Sequence, residues 1–274
     1  MKLAFSTLGC PDWRWNDIYS TAKDLKFDGI EVRGVANELY VPHIKVFAPD
    51  RIDATIAKLH ELKLEIPMLT SGISVGTPYS SSSGADIGPM DAAKEYIELA
   101  HKLGAKYERV MISSHPQPEE CNLDEAIRLY TEMCRYGEDK GVTPLIETNG
   151  ILASSKAMEE FVEDIDSENN GLLWDVHHPY RFFSEDPRET FRNIGRFVKY
   201  THVKDSRMLG ETISYRMMGY GDVPVFDALK VLKENGYTGY VSLEWVKRWN
   251  PDLEEPGIVF AHFMSYITFL MGRL

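Results

Sequence analysis

Cysteine is scarce in this 274-residue chain. Cys10, Cys121 and Cys134 are widely spaced and form neither a disulfide framework nor a zinc-ribbon pattern. Each reads as a reduced thiol in a cytoplasmic protein. Basic residues are outnumbered, 30 against 42 acidic ones, for a formal net charge of −12. A nucleic-acid binder needs a basic stripe to neutralise phosphates, and none is visible, which counts against DNA and RNA as partners. Long apolar runs are missing too. The N-terminal "MKLAFSTLGCPDW" has no apolar core behind its lysine, which excludes a signal peptide. The longest apolar stretch, "IVFAHFMSYITFLMG", carries a histidine and polar breaks and is too short to span a bilayer, so no membrane partner is expected. No Gly-rich phosphate turn follows the first apolar segment, since "STLGCPDW" is not one. No linker and no second domain are visible.

What is present is alternation. At 43% hydrophobic and 26% charged, the composition is that of an ordinary globular protein. Short apolar segments ("KLAFSTLG", "GIEVRG", "EIPMLTSG", "ERVMISS", "TPLIETNG", "GLLWDVHH", "YTHVKD", "GYVSLEWV") take turns with stretches of helical spacing such as "WNDIYSTAKDLKF". Asn122 with Glu125 predicts a capping box for "LDEAIRLYTEMCRYGEDKG", and Asp186 with Pro187 predicts a cap for "RETFRNIGRFVKY". Eight strands and eight helices at a spacing of roughly 30 residues match the length of a βα unit. Strict alternation implies parallel strands. The sequence therefore predicts an α/β fold, a single (β/α)8 TIM barrel over residues 1–274. The runner-up, a doubly wound sheet, would want the missing phosphate turn.

In such a barrel the site lies where strands end and βα loops begin. The polar residues there are Glu31 and Arg33 on the second strand, His115 after the fourth, and Glu147 with Asn149 on the fifth. Asp175, His177 and His178 end the sixth, His202 and Lys204 the seventh, and Glu244 the eighth. Alternation puts Ser242 with Glu244, and His202 with Lys204, on one face of each strand. Four successive strands thus end in a carboxylate or an imidazole. Gathered at one mouth, such groups would repel or desolvate badly unless a cation held them. A divalent ion bound by Glu147, Asp175, His202 and Glu244 is the simplest account. Three carboxylates and one imidazole suit Mn²⁺ first, then Mg²⁺ or Co²⁺, and do not forbid Zn²⁺.

Other residues leave two readings open. Lys204 either reaches a substrate or bridges to Glu31, Asp175 or Glu244. Glu31 and Arg33 either pair with each other or face the site. His115 reads as a substrate or second-metal contact, or as a turn residue, and His177 as structural. The long segment Ser71–Pro89 suits a mobile lid with Tyr79 against the substrate, or a plain surface loop. Trp13 and Trp15 follow the first strand, where either could wall the pocket.

In this order and spacing, "LIETNG", "LLWDVHH", "THVKD" and "VSLEW" resemble the xylose isomerase-like barrels, the sugar phosphate isomerase/epimerase superfamily. "GIEVRG" and "LEWVKRWNPDLEEP" look like its second strand and the segment after its eighth, so the resemblance spans nearly the whole chain. It implies that Glu147, Asp175, His202 and Glu244 are metal ligands. It also implies that His178, three residues after the aspartate, contacts substrate, where alternation alone would have put His177. Arg207 resembles a substrate-contacting arginine. In the family's isomerases and epimerases the metal chelates a carbonyl and a neighbouring hydroxyl. Two glutamates, here Glu147 and Glu244, then remove and return the proton between them by way of an enediolate.

The function the resemblance implies is a metal-dependent isomerase or epimerase of a small sugar or keto-polyol. Its substrate-binding candidates are His178, Arg207, His115, Lys204 and Trp13. The alternative is a lyase dehydrating a keto-cyclitol or a dehydroshikimate-like acid, because abstraction beside a carbonyl also starts β-elimination. A zinc apurinic endonuclease of the same superfamily would need further histidines, which "MLTSG" and "GYGDVP" lack. A hydride shift would need a second cation, and only His115, Glu31 and Asp205 are spare as its ligands. A homo-oligomer is compatible with everything above.

Overall fold

Every apolar segment expected to be a strand is one. The computed structural model describes residues 1–84 and 86–274. The first half runs β1 (Lys2–Ser6), α1 (Trp15–Asp24), β2 (Gly29–Glu31), α2 (Ile52–Leu62), β3 (Met68–Ser74), α3 (Pro89–Leu103), β4 (Tyr107–Met111), α4 (Leu123–Glu138) and β5 (Thr143–Glu147). The second runs α5 (Ser155–Glu163), β6 (Leu172–Asp175), α6 (His177–Phe183), α7 (Pro187–Ile194), β7 (Val198–Val203), β8 (Asp205–Leu209), β9 (Thr212–Arg216), α8 (Val225–Glu234), β10 (Tyr240–Leu243) and α9 (Pro256–Met271). The helix starts follow the capping chemistry. Asn122 Oδ1 accepts the Glu125 N–H at 3.1 Å, and Asp186 Oδ1 accepts those of Arg188 and Glu189 at 2.8 and 2.9 Å.

Eight strands pair in parallel in the order β2–β1–β10–β7–β6–β5–β4–β3. Bridges from Gly29 to Glu65 and from Val32 to Leu69 bring the two ends of the sheet together. The result is the expected barrel. Its floor is an inward-facing apolar layer of Ala4, Met68, Leu145, Leu173, Tyr200 and Tyr240. Towards the strands' carboxyl ends the inward positions turn polar: Glu31, Thr70, Arg109, Glu147, Asp175, His202 and Ser242 are all buried. The larger core lies between strands and helices, where Phe260 of α9 packs 4.3 Å from Phe5 and Phe263 stacks on Phe27 at 6.1 Å. Each such ring contributes about 1.5–3 kcal/mol by leaving water.

The fold departs from the expected pattern at three places. β6 stops at Asp175, and His177 opens the short helix α6 instead of extending the strand. β7 is followed by an antiparallel hairpin, β8 with β9, turned by Gly210 and Glu211 with a φ of +63° at Gly210. β3 runs on to Ser74, so the connection to α3 begins at Val75 and not at Ser71. Its start is pinned, because the Gly76 N–H donates to Ile112 O at 2.8 Å and Gly76 O accepts the Asn122 N–H at 2.9 Å. Tyr79 is half-buried against the core, and Ala85 of this connection lies outside the described residues. No helix among the described residues is long and apolar enough to cross a membrane.

Candidate active site

Above the floor, register decides which side chains meet. Asp175 stands beside His202 and His202 beside Ser242, all facing inward. Glu147 arrives from the end of β5, and Glu244 follows β10 directly. One ligand atom from each of Glu147, Asp175, His202 and Glu244 lies within 4.8 Å of all the others. His202 Nδ1 is at the centre, 3.6 Å from Glu147 Oε1, 3.6 Å from Glu244 Oε1 and 4.0 Å from Asp175 Oδ2.

The rest of the ring and of the carboxylates is clamped. His202 Nε2 lies 2.9 Å from Glu31 Oε2, which also accepts Ser242 Oγ, while Glu31 Oε1 accepts Thr70 Oγ1. In the neutral ring this bond puts the proton on Nε2 and leaves a lone pair on Nδ1. Arg109 donates to Glu147 Oε2 at 2.7 Å, and Lys204 donates to both Asp175 Oδ2 and Glu244 Oε2. Glu147 Oε1 and His202 Nδ1 are buried with no hydrogen-bond partner among the described residues.

The electrostatics follow from this packing. Burial alone would raise Glu147, but Arg109 and His202 outweigh it and hold the group well below the usual carboxylate range. Burial is likewise overcome at Glu244, where Lys204 and His202 bring the value down to about 2. Burial would lower His202, yet Glu31 and Glu244 push it well above the ordinary histidine value. Ionised carboxylates converging on one nitrogen, with two orphaned atoms between them, are a site that asks for a cation. Three oxygen donors and one imidazole fit a divalent ion.

Around this cluster lies a cavity of about 480 Å³, lined among others by Arg33, Arg109, His115, His178, Tyr215 and Trp249. His178 reaches it because α6 turns helical. Its Nε2 comes to 3.6 Å from Asp175 Oδ2, and its Nδ1 lies 2.9 Å from Thr148 O. Burial lowers its pKa against the pull of Asp175, so the ring is neutral. His177 turns away, bonded to Ser206 Oγ at 2.9 Å and stacked on Tyr215. His115 is at the rim, exposed, with Nδ1 2.9 Å from Ser114 Oγ. In a hollow of about 570 Å³ at the barrel's other end, Lys2 and Tyr240 both donate to Glu65.

Two expected contacts are not brought to the cavity lining. Arg207 is exposed on β8, because its neighbour Ser206 takes the inward face and bonds His177 and Arg181. Trp13 packs edge-on against Phe260 at 5.7 Å, and Trp15 is buried against Phe47. Glu31 pairs with His202 and not with Arg33. Conversely, Arg109, Tyr215 and Trp249 escaped the sequence reading. Arg109 could have been found by alternation, since Tyr107, Arg109 and Met111 share the inward face of β4.

A (β/α)8 barrel with a buried carboxylate–imidazole cluster at the carboxyl ends of its strands is the class these features define. The chain belongs to the xylose isomerase-like TIM barrel family, whose model matches residues 19–259. The fructoselysine 3-epimerase of Shigella flexneri is 22% identical over 259 residues, 90% of each chain. The protein MJ1311 of Methanocaldococcus jannaschii is 29% identical over 133 residues, 44% of this chain and 43% of that one. Among solved structures, the IolI protein with a bound zinc atom aligns with 100% of this chain and 99% of its own, at a TM-score of 0.77 and 17% identity, a likeness of fold.

Proposed function

We propose that this chain is a divalent-metal-dependent isomerase or epimerase of a sugar or keto-polyol that works by proton transfer. The observation that carries the reading is the placement of two bases. Glu147 and Glu244, from strands separated by β6 and β7, each bring Oε1 to 3.6 Å from the same imidazole nitrogen. Glu147, Asp175, His202 and Glu244 would hold the ion, Mn²⁺ before Mg²⁺, Co²⁺ or Zn²⁺. When bound, it would act as a Lewis acid on a ketone and its neighbouring hydroxyl, acidifying the C–H between them.

One glutamate takes that proton and the other returns it. Delivery to the opposite face of the same carbon gives an epimer, and delivery to the neighbouring carbon gives an isomer. Arg109 and Lys204 clamp Oε2 of Glu147 and Glu244, so each base presents Oε1. The same cations weaken both carboxylates as bases, which suffices for a carbon acid that is itself acidified. Neutral His178 offers Nε2 to a substrate hydroxyl. Proton transfer is preferred to a hydride shift because the spare acids are committed. Glu31 serves His202, and Asp205 accepts the backbone N–H groups of Ser206, Gly219, Gly221 and Val223.

A dehydratase of a dehydroshikimate-like acid is the second reading, favoured by the buried cation Arg33 on the cavity wall. The test uses Mn²⁺-loaded protein with ketoses, inososes and keto acids in D₂O. Solvent deuterium should enter the carbon beside the carbonyl, and Glu147→Gln and Glu244→Gln should each slow turnover about 10²–10⁴-fold. Deuterium-free product, or an active Glu244→Gln enzyme, sinks the mechanism. An unsaturated product turns the reading to the dehydratase.

A further inference from the structure

Three permanent cations line the cavity, and two of them are spoken for. Arg109 pairs with Glu147, and Lys204 with Asp175 and Glu244. Arg33 is only 8% exposed, yet among the described residues it makes no ion pair. Of the five N–H donors on its fork, one finds an acceptor among the described residues, Nη1 to Leu39 O at a long 3.3 Å. Burial pushes its pKa down to about 10, which leaves it charged at neutral pH. A buried charge left this way is costly unless something completes its bonding.

The surroundings hold the guanidinium in place without neutralising it. Thr7 Oγ1 accepts the Arg33 N–H at 2.9 Å and donates to Gly34 O at 2.6 Å, fixing the backbone past the end of β2. Gly72 on β3 leaves room for the fork, since a Cβ there would lie 3.1 Å from Nη2. Trp249, 54% exposed and also on the cavity wall, stands with its ring 5.8 Å from the guanidinium carbon. The cavity's volume of about 480 Å³ suits a small molecule.

We propose that Arg33 binds an anionic group, a carboxylate or a phosphate ester, on the part of the substrate away from the reacting carbon. This rests on the keto-polyol reading above and narrows it to acidic substrates. A planar fork with free donors matches either oxyanion bidentately.

The test uses three ketoses that differ only at C6: D-fructose with a hydroxymethyl group, D-fructuronate with a carboxylate, and D-fructose 6-phosphate. Calorimetric titration into Mg²⁺-loaded protein should show one or both charged forms binding about 10- to 100-fold tighter than fructose, as bonds to a charged group warrant. The tighter of the two tells carboxylate from phosphate. Arg33→Gln should bring the charged forms to the level of fructose while fructose itself is unaffected. Should Arg33→Gln not fold, Gly72→Ala, whose Cβ would stand 3.1 Å from Nη2 and make the fork shift, should narrow the same preference, and an unchanged preference would count against the proposal. Equal affinity for all three ketoses overturns the proposal and leaves the keto-polyol reading standing.

If none of the three binds, the keto-polyol reading falls, and simple anions decide the proposal alone. Formate or inorganic phosphate should then raise the melting temperature of wild type but not of Arg33→Gln, against sodium chloride at equal ionic strength. The same response in both proteins overturns it.

Discussion

Replacing Glu31 with glutamine should weaken divalent-metal binding about 10- to 100-fold, the usual cost of disturbing the partner of a metal-bound histidine. Glu31 is fully buried and gathers three donors: Thr70 Oγ1 at 2.8 Å, Ser242 Oγ at 2.7 Å and His202 Nε2 at 2.9 Å. Burial alone would raise its pKa, but the charge and hydrogen bond of His202 outweigh burial and keep it below the ordinary value. It is therefore an ionised group inside the barrel. With an ion bound, His202 would have to be neutral, and that charge would keep its proton on Nε2 and leave the Nδ1 lone pair aimed at the side of Glu147, Glu244 and Asp175. Glutamine keeps the shape and one acceptor oxygen but loses the charge, and its NH₂ must face a hydroxyl that now has to accept. The loss is one charge-assisted bond, about 1.5–3 kcal/mol, and about 1.4 kcal/mol is a tenfold change in affinity. Mn²⁺ affinity measured by competition with a fluorescent chelator reads it directly, with circular dichroism as the check on folding. Ser242→Ala removes one of the three donors and leaves the charge, so it should cost much less. Wild-type Mn²⁺ affinity in a folded Glu31→Gln protein would refute the reasoning.

His202→Ala, purified without chelator, should lose the near-stoichiometric metal that elemental analysis finds in the wild type; unchanged metal content would break the ligand assignment. Glu108→Gln should stabilise the protein increasingly as pH rises. Burial pushes Glu108 well above the usual carboxylate range against the pull of Ser71 and Arg109, and among the described residues neither oxygen accepts a hydrogen bond. A raised folded value means that stability is complete below the unfolded value and falls as pH climbs towards the folded one. The fall is about 1.4 kcal/mol per pH unit across that window. Urea unfolding of the two proteins between pH ~5 and ~7 should therefore diverge, and parallel curves would show Glu108 to be charged in the fold.

The cluster was legible because it depends on two periodicities that a sequence displays. The order of strands puts four ends at one rim, and alternation sends Glu147, Asp175 and His202 inward. What alternation alone misses depends on where an element stops. The family resemblance, not a rule of two, picks out His178, which meets Asp175 because β6 ends there and a helical turn carries position 178 back. Arg207 fails to reach the cavity for the same kind of reason. β8 begins a new strand after Lys204, and its inward position belongs to Ser206. The hairpin did leave a signal in "MLGETI", a glycine in a two-residue turn between alternating segments, but no catalytic pattern drew attention to it. Arg109 was hidden in a segment noted for its apolar residues, although its partner Glu147 was already singled out.

Orphaned buried atoms separate function from architecture only when read together with charge. Glu108, Glu147 and His202 all have such atoms. Glu108 lies on the outward face of β4, between Leu69 and Pro144, where burial dominates and the carboxyl goes neutral. An uncharged acid there costs stability and offers no chemistry. Glu147 is as deeply buried but stays ionised, because Arg109 holds one oxygen while the other faces His202. The barrel thus keeps a charged, incompletely bonded oxygen where a ligand can reach it. The apolar floor beneath, Tyr200 and Tyr240 with Leu145 and Leu173, keeps water from satisfying it from below. Arg33 fits the same logic with the opposite sign: buried, charged, short of partners and open to the cavity. A cation for the carboxylates and an anion for Arg33 would leave every charge on that wall paired. A substrate that brings the anion while the cluster holds the cation meets both demands at once.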